Sequence, residues 1–248
     1  MSQPLRILLV NPNSTASMTA AMSEAARSVV AAGTDLIAAT AEYGPESIEG
    51  YYDEVFSVPP LVDAVRAQQA KHQIDGVVVG CFDDTGVDAL RALLDAPVIG
   101  ICQAAMQAAA TLAGNFSVVT TLGRSVAALE HLSVRYGYER LCRRVRSCEV
   151  PVLELEDPES DATNAIRQEI EAALRDDGAE AIVLGCAGML GLTESLSEEY
   201  SVPVIEGVTV AVKWVEALAG LGLSTSKRGG YAPPREKLYR GEFSRYTP

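Results

Sequence analysis

Short apolar runs alternate along this chain with longer segments in which apolar positions recur every three or four residues. The apolar runs of the first half lie at residues 7–10, 36–39, 77–79 and 98–101. Runs of this length predict buried strands. The longer segments predict helices at about 14–30, 61–72 and 87–94. Strands that alternate with helices are typical of a parallel sheet with crossover helices, so the pattern predicts an α/β fold.

The second half of the chain repeats the first. Its predicted strands are residues 116–120, 182–184 and 203–205, with an extended segment at 150–155 and helices after Ser125 and at 162–174. The turn at Ser125 repeats the turn at Ser14 with an offset of 111 residues (125 − 14). An internal repeat of this length predicts two pseudo-symmetric lobes with parallel sheets. The predicted lobes are 1–103 and 104–207, with 208–223 returning to the first lobe and 224–248 forming an irregular C-terminal arm.

Two Gly-Cys pairs occupy equivalent places in this repeat. Gly80-Cys81 and Gly185-Cys186 each end a predicted strand, and the two cysteines are 105 residues apart (186 − 81). Ligands of parallel α/β sheets bind beyond the carboxyl ends of the strands, so both thiols are expected in one cleft. Two thiols on opposite faces of a small molecule supply a proton acceptor and a proton donor, which suits a cofactor-free racemase. Because each thiol precedes a helix start, we also expect its pKa to be lowered.

The polar residues at the strand ends are the next candidates. Asn13 and Ser14, like Thr120 and Thr121, suit a role in the pocket and a structural role in a turn or helix cap equally. Asp83 is either a cap of the helix predicted at 87–94 or an acceptor for a substrate N–H. Asp84 shares the capping alternative, and Glu49 is a second candidate acceptor if its polar loop closes as a lid.

Composition narrows the function classes. Of 248 residues, 48% are hydrophobic and 21% charged, and the net charge of −13 disfavours nucleic acid and anionic membranes as partners. The arginines at 135–146 are more typical of a solvated helix end or a subunit contact. Five cysteines without a C-x-x-C pair, and two histidines far from them, favour reduced thiols over disulfides or a metal site. With no predicted signal peptide or membrane span, we expect a cytoplasmic protein.

Several segments carry a family resemblance. They are Val10-Asn11-Pro12-Asn13-Ser14, Ser47-Ile48-Glu49-Gly50, Gly80-Cys81-Phe82-Asp83-Asp84, Pro97-Val98-Ile99-Gly100-Ile101, Phe116-Ser117-Val118-Val119-Thr120-Thr121-Leu122, Arg135-Tyr136-Gly137 and Leu184-Gly185-Cys186-Ala187-Gly188-Met189. With them the chain resembles the hydantoin racemase and allantoin racemase family, within the aspartate/glutamate racemase superfamily. The two cysteine motifs are the specific ones.

The resemblance implies an α/β fold of two Rossmann-like lobes with the active site in the cleft between them, no cofactor, no metal and a homo-oligomer. It implies Cys81 and Cys186 as the acid/base pair. The substrate-binding residues expected on the same basis are Asn13, Ser14, Ile48, Phe82, Asp83, Thr120, Thr121, Ala187 and Gly188.

The residues after the cysteines bear on the substrate. In the glutamate racemases of the superfamily that the chain resembles, the motifs at the two cysteines are similar to Cys-Asn-Thr and Cys-Thr-His. In this chain the two cysteines are followed by Phe82-Asp83 and Ala187-Gly188. These residues suit a neutral ring of amide groups better than a zwitterion, so we expect allantoin or a 5-substituted hydantoin as substrate. The alternatives are an isomerase or decarboxylase of a small diacid, and a non-catalytic small-molecule binding protein.

Overall fold

Two four-stranded parallel sheets form the framework of the protein in a computed structural model that describes residues 4–157 and 159–248. The strands of the first sheet are β1 (Leu5–Asn11), β2 (Thr34–Thr40), β3 (Gly76–Val79) and β4 (Val98–Gly100). Those of the second sheet are β5 (Phe116–Thr120), β6 (Cys142–Ser147), β7 (Ile182–Leu184) and β8 (Val204–Ile205). Their spatial orders, β2-β1-β3-β4 and β6-β5-β7-β8, are equivalent, which confirms the predicted α/β fold with parallel sheets.

Helices connect the strands and cover the sheets. They are α1 (Ala16–Val29), α2 (Tyr51–Gln69), α3 (Val87–Leu93), α4 (Ile101–Leu112), α5 (Gly123–Arg135), α6 (Ala162–Ala172), α7 (Thr193–Tyr200) and α8 (Gly207–Gly220). Two 3-10 helices, Val152–Glu156 and Ala187–Leu192, lie between elements of the second half.

Alternate residues of the central strands enter different cores because successive side chains of a strand point to opposite faces. In β1, Ile7 and Leu9 pack in a core between the two sheets, whereas Leu8 and Val10 face α2 and α3. The second sheet repeats this division in its own strands. Both faces of each sheet are thus buried, which explains why the strands are continuous apolar runs.

The inner core is shared by the two halves. Its helical residues come from α1, α4, α5 and α8, and α8 packs against α4, β1 and β3. The predicted boundary after residue 103 falls inside α4, and the division into lobes stays a prediction. Because the two sheets share one core, the carboxyl ends of their strands are held in fixed positions relative to each other. A cleft between the sheets requires such an arrangement.

Besides helices α4 and α7, which the pattern does not predict, two elements differ from the sequence prediction. The segment 150–155, predicted as extended, is largely the 3-10 helix Val152–Glu156, and the outer strand of the second sheet is β6 instead. The sequence pattern does not predict β6 because the strand carries several arginines. One of them, Arg146, is accommodated by ion pairs with Asp177 and Glu169. The second difference is α2, which begins at Tyr51, ten residues before the predicted start (61 − 51), and continues through two internal prolines.

The C-terminal arm lies against the first half of the chain. The Thr225 N–H donates to the Asp95 carbonyl at 2.7 Å, and the Tyr246 hydroxyl donates to Asp63 Oδ2 at 2.8 Å. Apart from two short 3-10 turns, Gly229–Tyr231 and Gly241–Tyr246, its backbone is irregular. Within the described ranges, no helix combines the length and apolar character needed to cross a membrane.

Candidate active site

A cavity of about 40 Å³ lies where the carboxyl ends of the central strands of both sheets meet. Its walls come from both halves of the chain. The lining residues are Asn13, Met18, Met22, Ile48, Gly80, Cys81, Phe82, Asp83, Thr120, Thr121, Ser125, Val152, Gly185, Cys186, Ala187 and Gly188. Ten of the eleven residues expected at the site are among them, and Ser14 is not.

Each thiol follows a glycine that allows close packing at the strand end. A Cβ on Gly80 would lie 2.6 Å from Met22 Sδ, and one on Gly185 would lie 2.9 Å from Thr120 Cβ. Real Cβ atoms do not approach neighbouring atoms so closely. The glycine of each Gly-Cys pair therefore has a steric role, because a side chain at that position would collide with a tightly packed neighbour.

Cys81 lies in the turn between β3 and α3. Its Sγ is 3.5 Å from Thr85 Oγ1, and the Asp83 N–H also donates to the sulfur. The turn is closed by the Asp84 N–H, which donates to the Cys81 carbonyl at 3.0 Å. Two donors aimed at one sulfur are suited to stabilise a thiolate at this position.

Cys186 lies in the equivalent turn after β7. The Gly188 N–H donates to its sulfur, and the Met189 N–H donates to its carbonyl at 3.1 Å. Gly188 is also crowded from outside, because a Cβ there would lie 2.8 Å from Leu155 Cδ1 of the 3-10 helix Val152–Glu156. The Cys186 sulfur thus accepts a hydrogen bond from its own turn, and the 3-10 helix Val152–Glu156 packs against that turn.

Burial raises the pKa of both thiols, contrary to the lowering expected from the helix starts. Burial raises the pKa of Cys186 to about 12, aided by the charge of Asp83. Burial and then Asp83 also hold the pKa of Cys81 well above its usual range, against the lowering by Thr85 and the Asp83 N–H. Desolvation disfavours the charged form more than these donors favour it. Both thiols are therefore protonated at neutral pH in the free protein.

The Asp83 side chain lies at the cavity and acts on both thiols. Its carboxylate accepts no hydrogen bond from the part of the chain that the structure describes, which leaves it open to a donor in the cleft. Burial raises the pKa of Asp83 to about 7, and the carboxylates of Glu54 and Asp84 add to the rise. Asp83 can thus be ionised or neutral near neutral pH, and as the anion it is a strong acceptor.

Asp84 caps α4 and not the helix that follows it in the sequence. The N–H groups of Cys102 and Gln103 donate to its carboxylate at 2.9 and 3.0 Å, and the Tyr136 hydroxyl donates at 2.6 Å. α3 instead begins after Gly86. Burial raises the pKa of Asp84 to about 6, although its three donors favour the anion. The carboxylate ties the Cys81 turn to an element of each half.

Asn13 and Ser14 lie before α1, whose N-cap is Thr15. Asn13 lines the cavity while its Oδ1 accepts from the Thr15 N–H at 3.0 Å and from Asn11 Nδ2 at 2.8 Å. Ser14 faces the loop 41–50, where its N–H donates to the Pro45 carbonyl at 3.0 Å. Asn13 therefore has a place in the lining as well as structural contacts, whereas the contacts of Ser14 are structural.

Thr120 ends β5 and Thr121 follows it, and each takes part in a hydrogen bond that joins two segments of the second half. Thr120 Oγ1 donates to the Gly185 carbonyl at 3.1 Å and so joins the two strand ends of the second sheet. The Thr121 carbonyl accepts from the Val150 N–H at 3.2 Å, which secures the segment before the 3-10 helix Val152–Glu156. Both residues are buried at the cavity.

Several lining residues were not anticipated from the sequence. Met18 and Met22 come from the buried face of α1, Ser125 from α5, and Val152 from the start of a 3-10 helix. The helical spacing of the methionines was the available signal, but core packing predicts the same spacing. No Lys, Arg or His is among the described residues that line the cavity. Throughout residues 4–157 and 159–248, no group of three or more His, Cys, Asp or Glu side chains is placed to hold a metal ion.

Comparisons with known proteins identify relatives over nearly the whole chain. The sequence profile described as Asp/Glu/Hydantoin racemase matches residues 7–215. A hydantoin racemase from Rhizobium meliloti is 50% identical over 237 residues, which cover 96% of this chain and 98% of the relative.

Solved structures give the same result. An allantoin racemase from Klebsiella pneumoniae is 42% identical, with a TM-score of 0.93 over 98% of this chain and 99% of that one. An allantoin racemase from Pseudomonas fluorescens is 41% identical, with a TM-score of 0.91 over 96% of this chain and 100% of that one.

Proposed function

The chain belongs to the Asp/Glu/Hydantoin racemase family, and from this premise we propose that it is a cofactor-independent racemase of hydantoin rings, acting at C5 through Cys81 and Cys186. The observation that carries the proposal is the position of the two thiols, which follow equivalent strands and line one cavity. The relatives named as hydantoin and allantoin racemases support the same substrate class.

In the proposed reaction, one cysteine as thiolate removes the C5 proton from one face of the ring. Negative charge then develops on the C4 oxygen, where the Ala187 N–H and N–H groups of the Thr120-Thr121 turn are suited to stabilise it. The other cysteine, as thiol, delivers its proton to the opposite face of C5. The two sulfurs exchange protonation states with each turnover, so neither enantiomer requires a different set of residues.

Asp83 and the other polar residues of the cavity complete the proposed binding mode. The carboxylate of Asp83 accepts a ring N–H, while Asn13, Ile48 and Phe82 contact the ring or its substituent. A small diacid would favour a cationic or strongly donor-rich pocket, and no Lys, Arg or His is among the described lining residues. This absence within the lining favours a neutral ring over the small diacid considered as an alternative.

A substrate panel tests the proposed function. Allantoin, 5-isopropylhydantoin, 5-benzylhydantoin, glutamate, aspartate and maleate are each incubated with the enzyme, with optical rotation or product formation followed against a blank without enzyme. We expect loss of optical rotation only with the hydantoins. Activity confined to the amino acids or to maleate would contradict the proposal.

Thiol modification separates an enzyme from a binding protein. Alkylation of Cys81 and Cys186 should abolish racemisation in the proposed enzyme, whereas a binding protein needs no thiol at both strand ends. Unchanged ligand affinity after alkylation, together with no turnover of any panel member, would favour the binding protein. We also propose a cytoplasmic location, in line with five free cysteines, and assembly into a homo-oligomer, which size-exclusion chromatography tests.

Removing the charge of Asp83 should weaken substrate binding and shift the pH profile. We expect Asp83→Asn to raise KM about tenfold, because a charge-assisted hydrogen bond contributes about 1.5–3 kcal/mol. The same change lowers the pKa of both thiols, so the rise of activity with pH should begin at lower pH. Steady-state kinetics across pH measure both effects. Asp95→Asn, at a carboxylate that is 88% exposed, is the control, and an unchanged KM in Asp83→Asn would contradict the assigned role.

The raised thiol pKa values predict a strong pH dependence. A free enzyme with both thiols protonated must lose one proton to react, and the thiolate fraction grows about tenfold per pH unit below the pKa. We therefore expect kcat/KM to rise with a logarithmic slope near one between about pH 7 and pH 9. Initial rates by polarimetry at constant ionic strength, corrected for spontaneous racemisation, measure the slope. A flat profile over this range would show that a thiolate is already formed at neutral pH.

A further inference from the structure

Two aliphatic side chains from different halves of the chain line the cavity from elements outside the sheets. Ile48 belongs to the loop 41–50 and Val152 begins the 3-10 helix Val152–Glu156. Both are at least nine-tenths buried. The other large apolar groups of the lining lie on α1 or beside Cys81, where Met22 packs beneath Gly80.

A hydrogen bond holds this aliphatic pair together. The Val152 N–H donates to Glu49 Oε1 at 3.1 Å, and Ser47 Oγ donates to the same oxygen at 3.3 Å. The Glu49 N–H in turn donates to Asp53 Oδ2 in the first turn of α2 at 3.0 Å. Glu49 therefore bonds to protein donors, in place of the substrate N–H considered from its sequence position.

The loop 41–50 is also anchored to the start of α1. Thr15 Oγ1 donates to the Glu46 carbonyl at 2.7 Å, beside the bond from Ser14 to Pro45. Ile48 and Val152 are thus held from both sides without being part of a sheet.

The chemistry of this pair restricts what it can contact. Neither side chain carries a polar atom, and the Val152 N–H is already bonded to Glu49. A polar group placed against them would lose hydrogen bonds to water without replacing them. An aliphatic group would instead gain contact with two buried aliphatic side chains.

We propose that Ile48 and Val152 form the wall that contacts the C5 substituent of the hydantoin, that Glu49 positions this wall, and that the wall selects an aliphatic substituent over a ureido group. The proposal rests on the proposed function, since it assigns the substituent of that same substrate. It identifies Val152 as a specificity-determining residue and Glu49 as a positioning residue.

Two substrates of matched shape test the selection. 5-Isobutylhydantoin and allantoin have substituents with the same number and branching of heavy atoms, but one is aliphatic and the other is a ureido group. Exchange of the C5 protons of unsubstituted hydantoin in D2O, followed by NMR, measures the chemistry without any substituent. Each kcat/KM is divided by the exchange rate of the same variant, corrected for the blank without enzyme.

For the wild-type enzyme we expect kcat/KM for 5-isobutylhydantoin to exceed that for allantoin by about tenfold, since apolar pockets discriminate modestly against polar isosteres. Val152→Thr keeps the shape of the side chain and adds a hydroxyl, so the ratio should fall about fivefold or more towards allantoin. Ile48→Thr is a second variant with the same expectation. Val134→Thr, at a valine that is 61% exposed on α5, is the matched control and should leave the ratio unchanged.

Glu49 variants test the positioning role. Glu49→Gln keeps an oxygen that accepts from the Val152 N–H, so the ratio should stay near that of the wild type. Glu49→Ala removes the acceptor, and the ratio should fall about fivefold because the wall is no longer held. A merely structural role would reduce the rates of both substrates without changing their ratio.

The outcomes separate the wall from the proposed function. Two results would overturn the wall and leave the proposed racemase activity intact, provided that hydantoin still exchanges. One is a wild-type preference for allantoin. The other is a kcat/KM ratio unchanged within about twofold in both Val152→Thr and Ile48→Thr. A wild-type enzyme that neither exchanges hydantoin nor racemises either substrate would overturn the proposed function, and the wall with it.

Discussion

Replacing either cysteine of the cavity with serine should reduce racemisation by about 1,000-fold or more, because acid/base groups contribute about 100- to 10,000-fold each. Serine keeps the shape of the side chain but is a much weaker acid than the thiol. In the proposed mechanism, Cys81→Ser removes the group that acts on one face of C5, and Cys186→Ser removes the group that acts on the other. Each single variant should therefore lose interconversion in both directions.

Exchange without inversion is the second readout of these variants. The remaining cysteine can still remove and return a proton on its own face, so slow exchange of one enantiomer with D2O is compatible with either variant. Cys142→Ser, on strand β6 away from the cavity lining, is the matched control and should keep its rate within about twofold. Racemisation at the wild-type rate in either cavity variant would eliminate the two-thiol mechanism.

The second large effect is expected on stability, from the carboxylate that ties the Cys81 turn to the rest of the protein. Asp84→Ala should lower the free energy of unfolding by about 3 kcal/mol, because one buried donor and two partly buried donors lose their acceptor. Alanine also fits poorly in the left-handed backbone at this position, where φ is 49°. That conformation costs about 1 kcal/mol more for alanine than for aspartate or asparagine.

A graded series separates the donors of this cluster. Tyr136→Phe removes one donor and should cost about 1 kcal/mol, while Asp84→Asn keeps one acceptor oxygen and should be intermediate. Asp95→Ala, at an exposed carboxylate, should change stability by less than about 0.5 kcal/mol. Urea unfolding at pH 8, where Asp84 is ionised, measures the series. Equal stability of Asp84→Ala and Asp95→Ala would show that the cluster contributes nothing to folding.

The strand ends were the most predictable part of this protein. Apolar runs in parallel sheets are buried on both faces, so their pattern is strong, and the spacing of the repeat is enough to align Cys81 with Cys186. The structure shows why glycine precedes each of them, since Met22 and Thr120 occupy the space of a side chain. That steric reason involves residues distant in sequence and is not visible from the motif itself.

Other features depended on tertiary contacts that a linear pattern does not contain. Strand β6 carries arginines because Arg146 pairs with Asp177 and Glu169, so its hydrophobic signal is weak. Asp84 caps α4 across the fold, although capping rules consider only the adjacent helix. The thiol pKa values rise for the same kind of reason, since burial outweighs the local donors that the sequence suggested.

The most direct test of the two-thiol mechanism is isotope incorporation at C5 during the first conversion of each enantiomer into the other. Enantiopure 5-isopropylhydantoin is incubated with the wild-type enzyme in D2O, the reaction is stopped at low conversion, and the two enantiomers are separated and analysed by mass spectrometry. From either starting enantiomer, we expect deuterium at C5 of the product enantiomer and almost none in the remaining substrate. One thiol removes the proton in the two-thiol mechanism, and the other delivers solvent deuterium. Equal deuterium in substrate and product, or a product that keeps its original proton, would contradict this mechanism.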